Sequence, residues 1–127
     1  MTVIAKGFPV SQRARAAELY WEAFGGKLGT VPGGGFAGPT FAAQTMRCLE
    51  RIQEIVVSEG GTMDDVVRVR VFVHRYDEQS IRDIHEARSK FWTNPERYPA
   101  STLVVAPLVI DGALIEIDAD AVIPARR

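Results

Sequence analysis

The sequence predicts an α+β sandwich, in which two helices cover one face of a single mixed β-sheet. Three observations support this fold class. Apolar side chains recur every three or four residues over 42–56 and again over 81–91, which is the period of an amphipathic helix. Two further segments, 66–73 and 113–122, alternate in the manner of half-buried β-strands. Short loops connect these segments, as expected of elements that pack in one domain.

Length and composition are those of a single domain over residues 1–127. The chain is 46% hydrophobic and has a formal net charge of −1, so we do not expect nucleic acid as an obligatory partner. No apolar run approaches the roughly 18–20 residues that cross a bilayer, and the first residues do not resemble a signal peptide. We therefore expect a cytoplasmic protein without a membrane-spanning segment.

Cysteine and histidine content argues against a metal site. Cys48 is the only cysteine, so it cannot form an internal disulfide, and no second thiol is available to bind a metal. We expect Cys48 to be a small side chain near the packing face of its helix. His74 and His85 lie far apart and have no cysteine beside them, which gives no metal-site spacing. We predict neither a metal nor another cofactor.

The first 35 residues leave several interpretations open. Residues 3–5 can form a short strand. Over 13–28, apolar and aromatic residues recur at helical spacing, but aromatic residues also suit one arm of a β-hairpin. The pattern alone favours a helix. The triple glycine at 33–35 lacks the G-x-x-x-x-G-K-[ST] spacing of a phosphate-binding loop, so we discount phosphate binding there.

The clearest element is the helix that ends at Gly60-Gly61, where glycine tolerates positive φ. Its buried face is predicted from Ala42, Thr45, Leu49, Ile52 and Val56, and its opposite side carries Arg47, Glu50, Arg51 and Glu54. The strand that follows is predicted to direct Val67, Val69, Val71 and Val73 to the core and Arg68, Arg70 and Phe72 to the other face. The alternation of strand side chains requires this division.

A second helix follows, capped by Asp77 or Ser80 and ended by Asn94-Pro95. Its inner stripe is predicted to contain Ile81, Ile84, Arg88 and Phe91. On its flank we expect the four-residue charge pairs Arg82–Glu86 and Glu86–Lys90.

Two strands, 101–105 and 113–122, end the chain, with a turn at Asp111-Gly112 between them. One face of the last strand carries Ala113, Ile115, Ile117, Ala119 and Ala121, and the other carries Leu114, Glu116, Asp118 and Asp120. If this strand and the valine strand are neighbours, arginines and carboxylates form cross-strand pairs. The charged face is then either a solvated surface or a subunit interface, and we favour the interface.

Four segments occur in a recognisable order and spacing: 41–45 (FAAQT), 64–73 (DDVVRVRVFV), 99–102 (PAST) and 115–122 (IEIDADAV). Together they resemble the Rid family, the reactive intermediate deaminases, also called the YjgF family. The resemblance covers residues 36–124. It implies a chorismate-mutase-like α+β fold and a homotrimer packed through the open sheet face, with small-molecule sites in clefts between subunits. It also implies hydrolysis of enamines and imines to ketones and ammonia.

The resemblance also implies roles for particular residues. In deaminating relatives the Pro-Ala pair is followed by an arginine that holds the substrate carboxylate, whereas Ser101 stands here. A hydroxyl cannot replace that charge, so we expect poor capture of 2-imino acids unless Arg97 reaches back to supply it. Ser101 and Thr102 would line the substrate end of the site.

Glu116 matches a family glutamate that positions the attacking water, a task a carboxylate can perform. The alternative is an interface charge paired with Arg68 or Arg70. His85 lies where many relatives carry an asparagine bordering the cleft, and it is either a surface residue or a proton shuttle.

Residues 1–35 diverge from the family. The segment 9–12 (PVSQ) resembles the family's Pro-Tyr-Ser-Gln opening, with Val10 in place of the tyrosine. The segment 19–28 (LYWEAFGGKL) resembles the first helix of some Gcn5-related acetyltransferases, but no pyrophosphate-binding loop follows, so we discount acetyl transfer. The distance from Pro9 to Gln44 suits the opening hairpin of the Rid family, so we assign 1–30 to strands. The first hypothesis is an enamine/imine hydrolase, or one acting on a related small molecule. The alternative is a non-catalytic homotrimer that binds a small metabolite in its clefts.

Overall fold

In the part of the chain that the structure describes, two helices lie on the same face of one mixed β-sheet. The computed structural model describes residues 2–4 and 27–124. In chain order the helices and strands are β1 (Thr2–Ile4), β2 (Lys27–Leu28), α1 (Phe41–Ser58), β3 (Val66–Val73), α2 (Glu78–Phe91), β4 (Ala100–Val105) and β5 (Ile115–Val122). The strand order is β1-β5-β3-β4, and β2 also pairs with β5. This is the α+β arrangement predicted from the sequence.

The strand predicted at residues 3–5 is confirmed as β1, which pairs in parallel with β5. At the end of the ambiguous stretch 13–28, Lys27 and Leu28 form a strand antiparallel to β5. The interpretations of 9–12 and of 13–26 lie outside the described residues. Within the described ranges, no helix is both long enough and apolar enough to cross a bilayer.

Helix α1 begins after Thr40, whose Oγ1 accepts a hydrogen bond from the backbone N–H of Ala43 at 3.1 Å. Its buried side chains are Phe41, Gln44, Thr45, Cys48, Leu49, Ile52 and Val56. The prediction that Ala42 is buried was wrong, since Ala42 is exposed. Phe41 lies nearer the centre of the apolar stripe and covers the core at this end. The predicted stop is confirmed, with Gly60 at a φ of 81°.

Gln44 joins α1 to two loops. Its Nε2 donates to the carbonyl oxygens of Gly38, at 3.1 Å, and Gly112, at 3.0 Å. Its Oε1 accepts the N–H of Leu114 at 2.9 Å, just before β5 begins. A Cβ at Gly29 would lie 2.6 Å from the Cα of Gln44, so only glycine fits where the chain leaves β2. These contacts fix the entry to β5.

The buried side of β3 begins at Val66, not at Val67. Val67 is 48% exposed, so its predicted place in the core was wrong, whereas Val69, Val71 and Val73 are buried as expected. The pairing between β3 and β5 shifts register between Val66 and Arg68. This bulge places an extra residue on β3 and turns Val67 outward.

The two predicted caps of α2 act together. The Asp77 Oδ1 accepts the N–H of Ser80 at 2.8 Å, and the Ser80 Oγ accepts the N–H of Asp77 at 3.0 Å. Of the predicted inner stripe, Ile84 is buried, while Ile81, Arg88 and Phe91 are half-buried. The predicted pair Glu86–Lys90 is present at 3.9 Å. The predicted Arg82–Glu86 pair was wrong, because Arg82 bonds Glu78, one turn earlier, at 2.8 Å.

Strands β4 and β5 are not neighbours, because β3 lies between them, parallel to β4 and antiparallel to β5. The turn at Asp111-Gly112 is confirmed by the φ of 86° at Gly112, but β5 starts at Ile115 rather than at 113. The predicted alternation along β5 holds, with Ile115, Ile117, Ala119 and Ala121 buried. Cys48 is fully buried on the facing helix, and this burial raises the pKa of its thiol to about 12.

Candidate functional site

The residues singled out from the sequence lie on two different faces of the sheet. In the parallel register of β3 and β4, Ser101 is the partner of Val69 and Thr102 the partner of Arg70. Since such partners point to the same side, Ser101 lies on the helix side and Thr102 on the open side. Glu116 is the partner of Phe72 and also lies on the open side. Two strand spacings of about 4.8 Å separate β4 from β5, so Ser101 and Glu116 do not meet within one chain.

The cross-strand charge pairs expected on the open face are present. The Nε of Arg70 donates to Oδ2 of Asp118 at 2.8 Å, and its Nη1 donates to Oδ2 of Asp120 at 2.9 Å. A guanidinium fork suits this double contact. The hydrogen bonds to Asp120 and then to Asp118 raise the pKa of Arg70 above its ordinary value, against the opposing effect of burial. The Arg70 guanidinium is therefore paired with the carboxylates of Asp118 and Asp120.

Within the described residues, Glu116 is left without a cation partner. Its side chain is half-buried, and among residues 27–124 it has no ion pair or hydrogen bond. Of the two arginines considered as its partners, Arg70 binds the aspartates, and Arg68 donates to Oγ1 of Thr102 at 3.5 Å. The open face therefore presents a carboxylate that is available to hold water or a ligand.

On the helix side, a cavity of about 330 Å³ opens between α2 and the segment that leads into β4, and we call it the Arg88 cavity. Its lining residues are His85, Arg88, Ser89, Trp92, Tyr98 and Pro99. The Nη1 of Arg88 donates to the Ser101 hydroxyl at 3.1 Å, and its guanidinium lies 5.9 Å from the Trp92 ring centre. Trp92 is itself anchored, because its Nε1–H donates to the Met63 carbonyl at 2.8 Å.

Arg88 was not recognised from the sequence as a site residue. The helical period places it on the inner side of α2, where it is half-buried, and burial lowers the pKa of its guanidinium. No ion pair of Arg88 occurs in the described part of the chain. The available signal was an arginine within an otherwise apolar stripe, at a spacing that predicts burial.

The other predicted site residues have different surroundings. Arg97 is exposed in the short 3₁₀ turn Pro95–Arg97, and the guanidinium that bonds Ser101 belongs to Arg88. His85 is exposed and lines the Arg88 cavity, one helical turn before Arg88. Among the described residues, no group of three or more His, Cys, Asp and Glu side chains is placed to hold a metal ion.

Comparison with known proteins places this geometry in a family. A family model described as endoribonuclease L-PSP matches residues 19–123. The search of curated proteins gave no significant match. Among solved structures, Rv2704 from Mycobacterium tuberculosis, a member of the YjgF/YER057c/UK114 family, is 32% identical, with a TM-score of 0.62 over 76% of this chain and 73% of that one.

Two further solved structures that are similar to this chain also come from the Rid family. RidA from the Antarctic bacterium Psychrobacter sp. PAMC 21119 is 27% identical, with a TM-score of 0.65 over 74% of this chain and 73% of that one. YyfA of the Rid protein family, from Yersinia pestis, is 21% identical, covers the same shares with a TM-score of 0.65, and bears on the fold alone. The predicted resemblance to the Rid family and the predicted chorismate-mutase-like fold are confirmed.

Proposed function

Because this chain belongs to the endoribonuclease L-PSP family, also known as the YjgF/YER057c/UK114 or Rid family, we propose that it hydrolyses small enamines or imines to ketones and ammonia. We place the reaction in clefts between the subunits of a homotrimer. The observation that carries this proposal is the half-buried Glu116 carboxylate, which has no cation partner in the described part of the chain. A carboxylate already paired with arginine would be a poor base.

In the proposed reaction, Glu116 accepts a proton from a water molecule as the water oxygen adds to the imine carbon. This proton then passes to the nitrogen and gives the carbinolamine. Glu116 next takes the proton of the new hydroxyl group and delivers it to the nitrogen, so the C–N bond breaks, the carbonyl forms and ammonia leaves. An enamine enters the same route after its carbon gains a proton and its nitrogen loses one, which gives the imine. The partial burial of Glu116 favours this role, since fewer water molecules compete for its oxygens.

The trimer is part of the proposal because a single chain keeps the two halves of the site apart. Ser101 and His85 lie on the helix side of the β4 edge, and Glu116 lies on the open face. One subunit would supply the open face and its neighbour the β4 edge. Exposed apolar residues support such packing, since the β4 end and the loop after it expose Val104, Val105, Val109 and Ile110.

Ammonia release tests the proposal. The purified protein is mixed with freshly generated 2-iminobutyrate, and release is compared among the wild type, Glu116→Gln and the control Glu86→Gln on the exposed side of α2. We expect Glu116→Gln to lose about 10²-fold or more in rate, the usual effect of removing a general base, and the control to match the wild type. A trimeric wild type that releases no ammonia from imines would contradict the proposal and favour a non-catalytic metabolite-binding trimer.

A further inference from the structure

Arg88 has hydrogen-bond donors that the rest of the site does not use. Its Nη1 bonds Ser101, but its Nε and Nη2 donate to no group among residues 27–124. The guanidinium is half-buried beside Trp92 and lines the Arg88 cavity. Charged groups in such positions are normally paired, because an isolated buried charge loses solvation without compensation.

We infer that the Arg88 cavity binds the carboxylate of a small organic anion, held by the free edge of the Arg88 guanidinium. The inference deepens the proposed function, on which it rests only for the reaction that follows binding. With Nη1 anchored on Ser101, the remaining N–H groups form a fixed planar fork. Such a fork matches the two oxygens of a carboxylate.

Charge favours a carboxylate over a phosphate. Arg88 is the only arginine or lysine that lines the cavity in the described chain, so the cavity offers one fixed positive charge. A phosphate dianion would keep an uncompensated charge in a half-buried place, whereas a carboxylate matches Arg88 one to one. Burial already lowers the pKa of Arg88, and a bound carboxylate would oppose that effect.

The walls of the cavity suggest the shape of the anion. Trp92, Tyr98 and Pro99 line it, and its volume of about 330 Å³ is near the lower end of the usual range for ligand pockets, about 300–1,000 Å³. Ring walls pack well against flat ligands. The preferred ligand is therefore a carboxylate on a flat aromatic or unsaturated body.

Ser101 is then a positioning residue. Its short hydroxyl anchors Arg88, whereas an arginine at this position would bring a second guanidinium against the first. The carboxylate-binding charge of this chain comes from helix α2 instead of strand β4. Ser101 cannot bind a carboxylate by charge, but it holds the guanidinium that can.

The test is an NMR titration of ¹⁵N-labelled protein with benzoate, its neutral analogue benzamide, and inorganic phosphate. Shifts of the Trp92 indole N–H report on the cavity. We expect benzoate to bind more tightly than benzamide or phosphate. Arg88→Met should weaken benzoate binding about 10- to 100-fold, the range for charge-assisted hydrogen bonds. The matched control, Arg82→Met, removes an exposed arginine paired with Glu78 on the same helix and should leave binding unchanged.

Unchanged benzoate affinity in Arg88→Met, or phosphate binding as tight as benzoate, would overturn the inference. Should Arg88→Met not fold, Arg88→Lys keeps the charge without the fork, and benzoate binding equal to that of the wild type would refute the role of the fork. The proposed function is judged separately. Ammonia release that does not depend on Arg88 refutes the inference alone, and Arg88-dependent benzoate binding without ammonia release refutes the proposed function alone.

Discussion

Replacing Gln44 with methionine should destabilise the fold strongly, although methionine has similar length and helix propensity. Gln44 is 1% exposed and bonds the carbonyl oxygens of Gly38 and Gly112 and the N–H of Leu114. The change removes three hydrogen bonds, each worth about 1 kcal/mol net, and leaves a partly buried backbone N–H without its acceptor. Since Gly112 is exposed and Gly38 is half-buried, their carbonyl groups can turn at least partly to water, and we expect a loss of about 2–4 kcal/mol.

Urea unfolding followed by circular dichroism measures this effect, at one protein concentration because subunit association shifts apparent stability. The matched control is Gln53→Met, at an exposed position of the same helix, which should change the free energy of unfolding by no more than about 0.5 kcal/mol. Equal, small effects of the two substitutions would refute the view that the Gln44 amide fixes the entry to β5.

Three further predictions concern the thiol, the open face and the cavity. Cys48 should resist alkylation until the protein unfolds. Because burial raises its pKa from 9.0 to about 12, the free energy of unfolding should fall as pH rises between those values, a slope that Cys48→Ala should remove. Arg70→Glu should shift gel-filtration elution from about three times 14.0 kDa to smaller species, through like-charge repulsion on the open face. Adding Ser101→Arg to Arg88→Met should restore the benzoate binding that Arg88→Met loses. A double variant that does not bind benzoate would show that arginines at positions 88 and 101 do not reach the same site.

The fold could be predicted because the helical and strand periods are local properties of the sequence. The helix over 42–56, the valine strand and the alternation of the last strand depend on neighbouring residues, and each was found. The predictions for Val67 and Arg82 were wrong because they depend on strand pairing and on the choice of ion-pair partner, which the local period does not determine. Val67 points outward because the pairing of β3 with β5 shifts register. Arg82 lies four residues from both Glu78 and Glu86, and it pairs with Glu78.

The site was harder to predict, because its contacts join residues from separate elements. The hydrogen bond from Arg88 to Ser101 links α2 to β4, and the spacing of the two residues in the sequence does not predict it. The arginine nearest to Ser101 in the sequence is Arg97, which was predicted to supply the charge, but Arg97 is exposed and the Ser101 hydroxyl accepts from Arg88 instead. Glu116 has no partner in the described ranges because Arg70 binds the two aspartates, and this pairing depends on the strand register, which the sequence pattern does not give.

In the proposed trimer, Glu116 of one subunit and Arg88 of its neighbour complete one cleft. Mixed trimers test it most directly. Glu116→Gln and Arg88→Met, each expected to be nearly inactive with imino acids alone, are unfolded together in equal amounts and refolded.

Random assembly restores both residues in about one cleft in four, so the mixture should regain about a quarter of wild-type ammonia release. A mixture that forms trimers containing both variants yet stays as inactive as each variant alone would contradict the account.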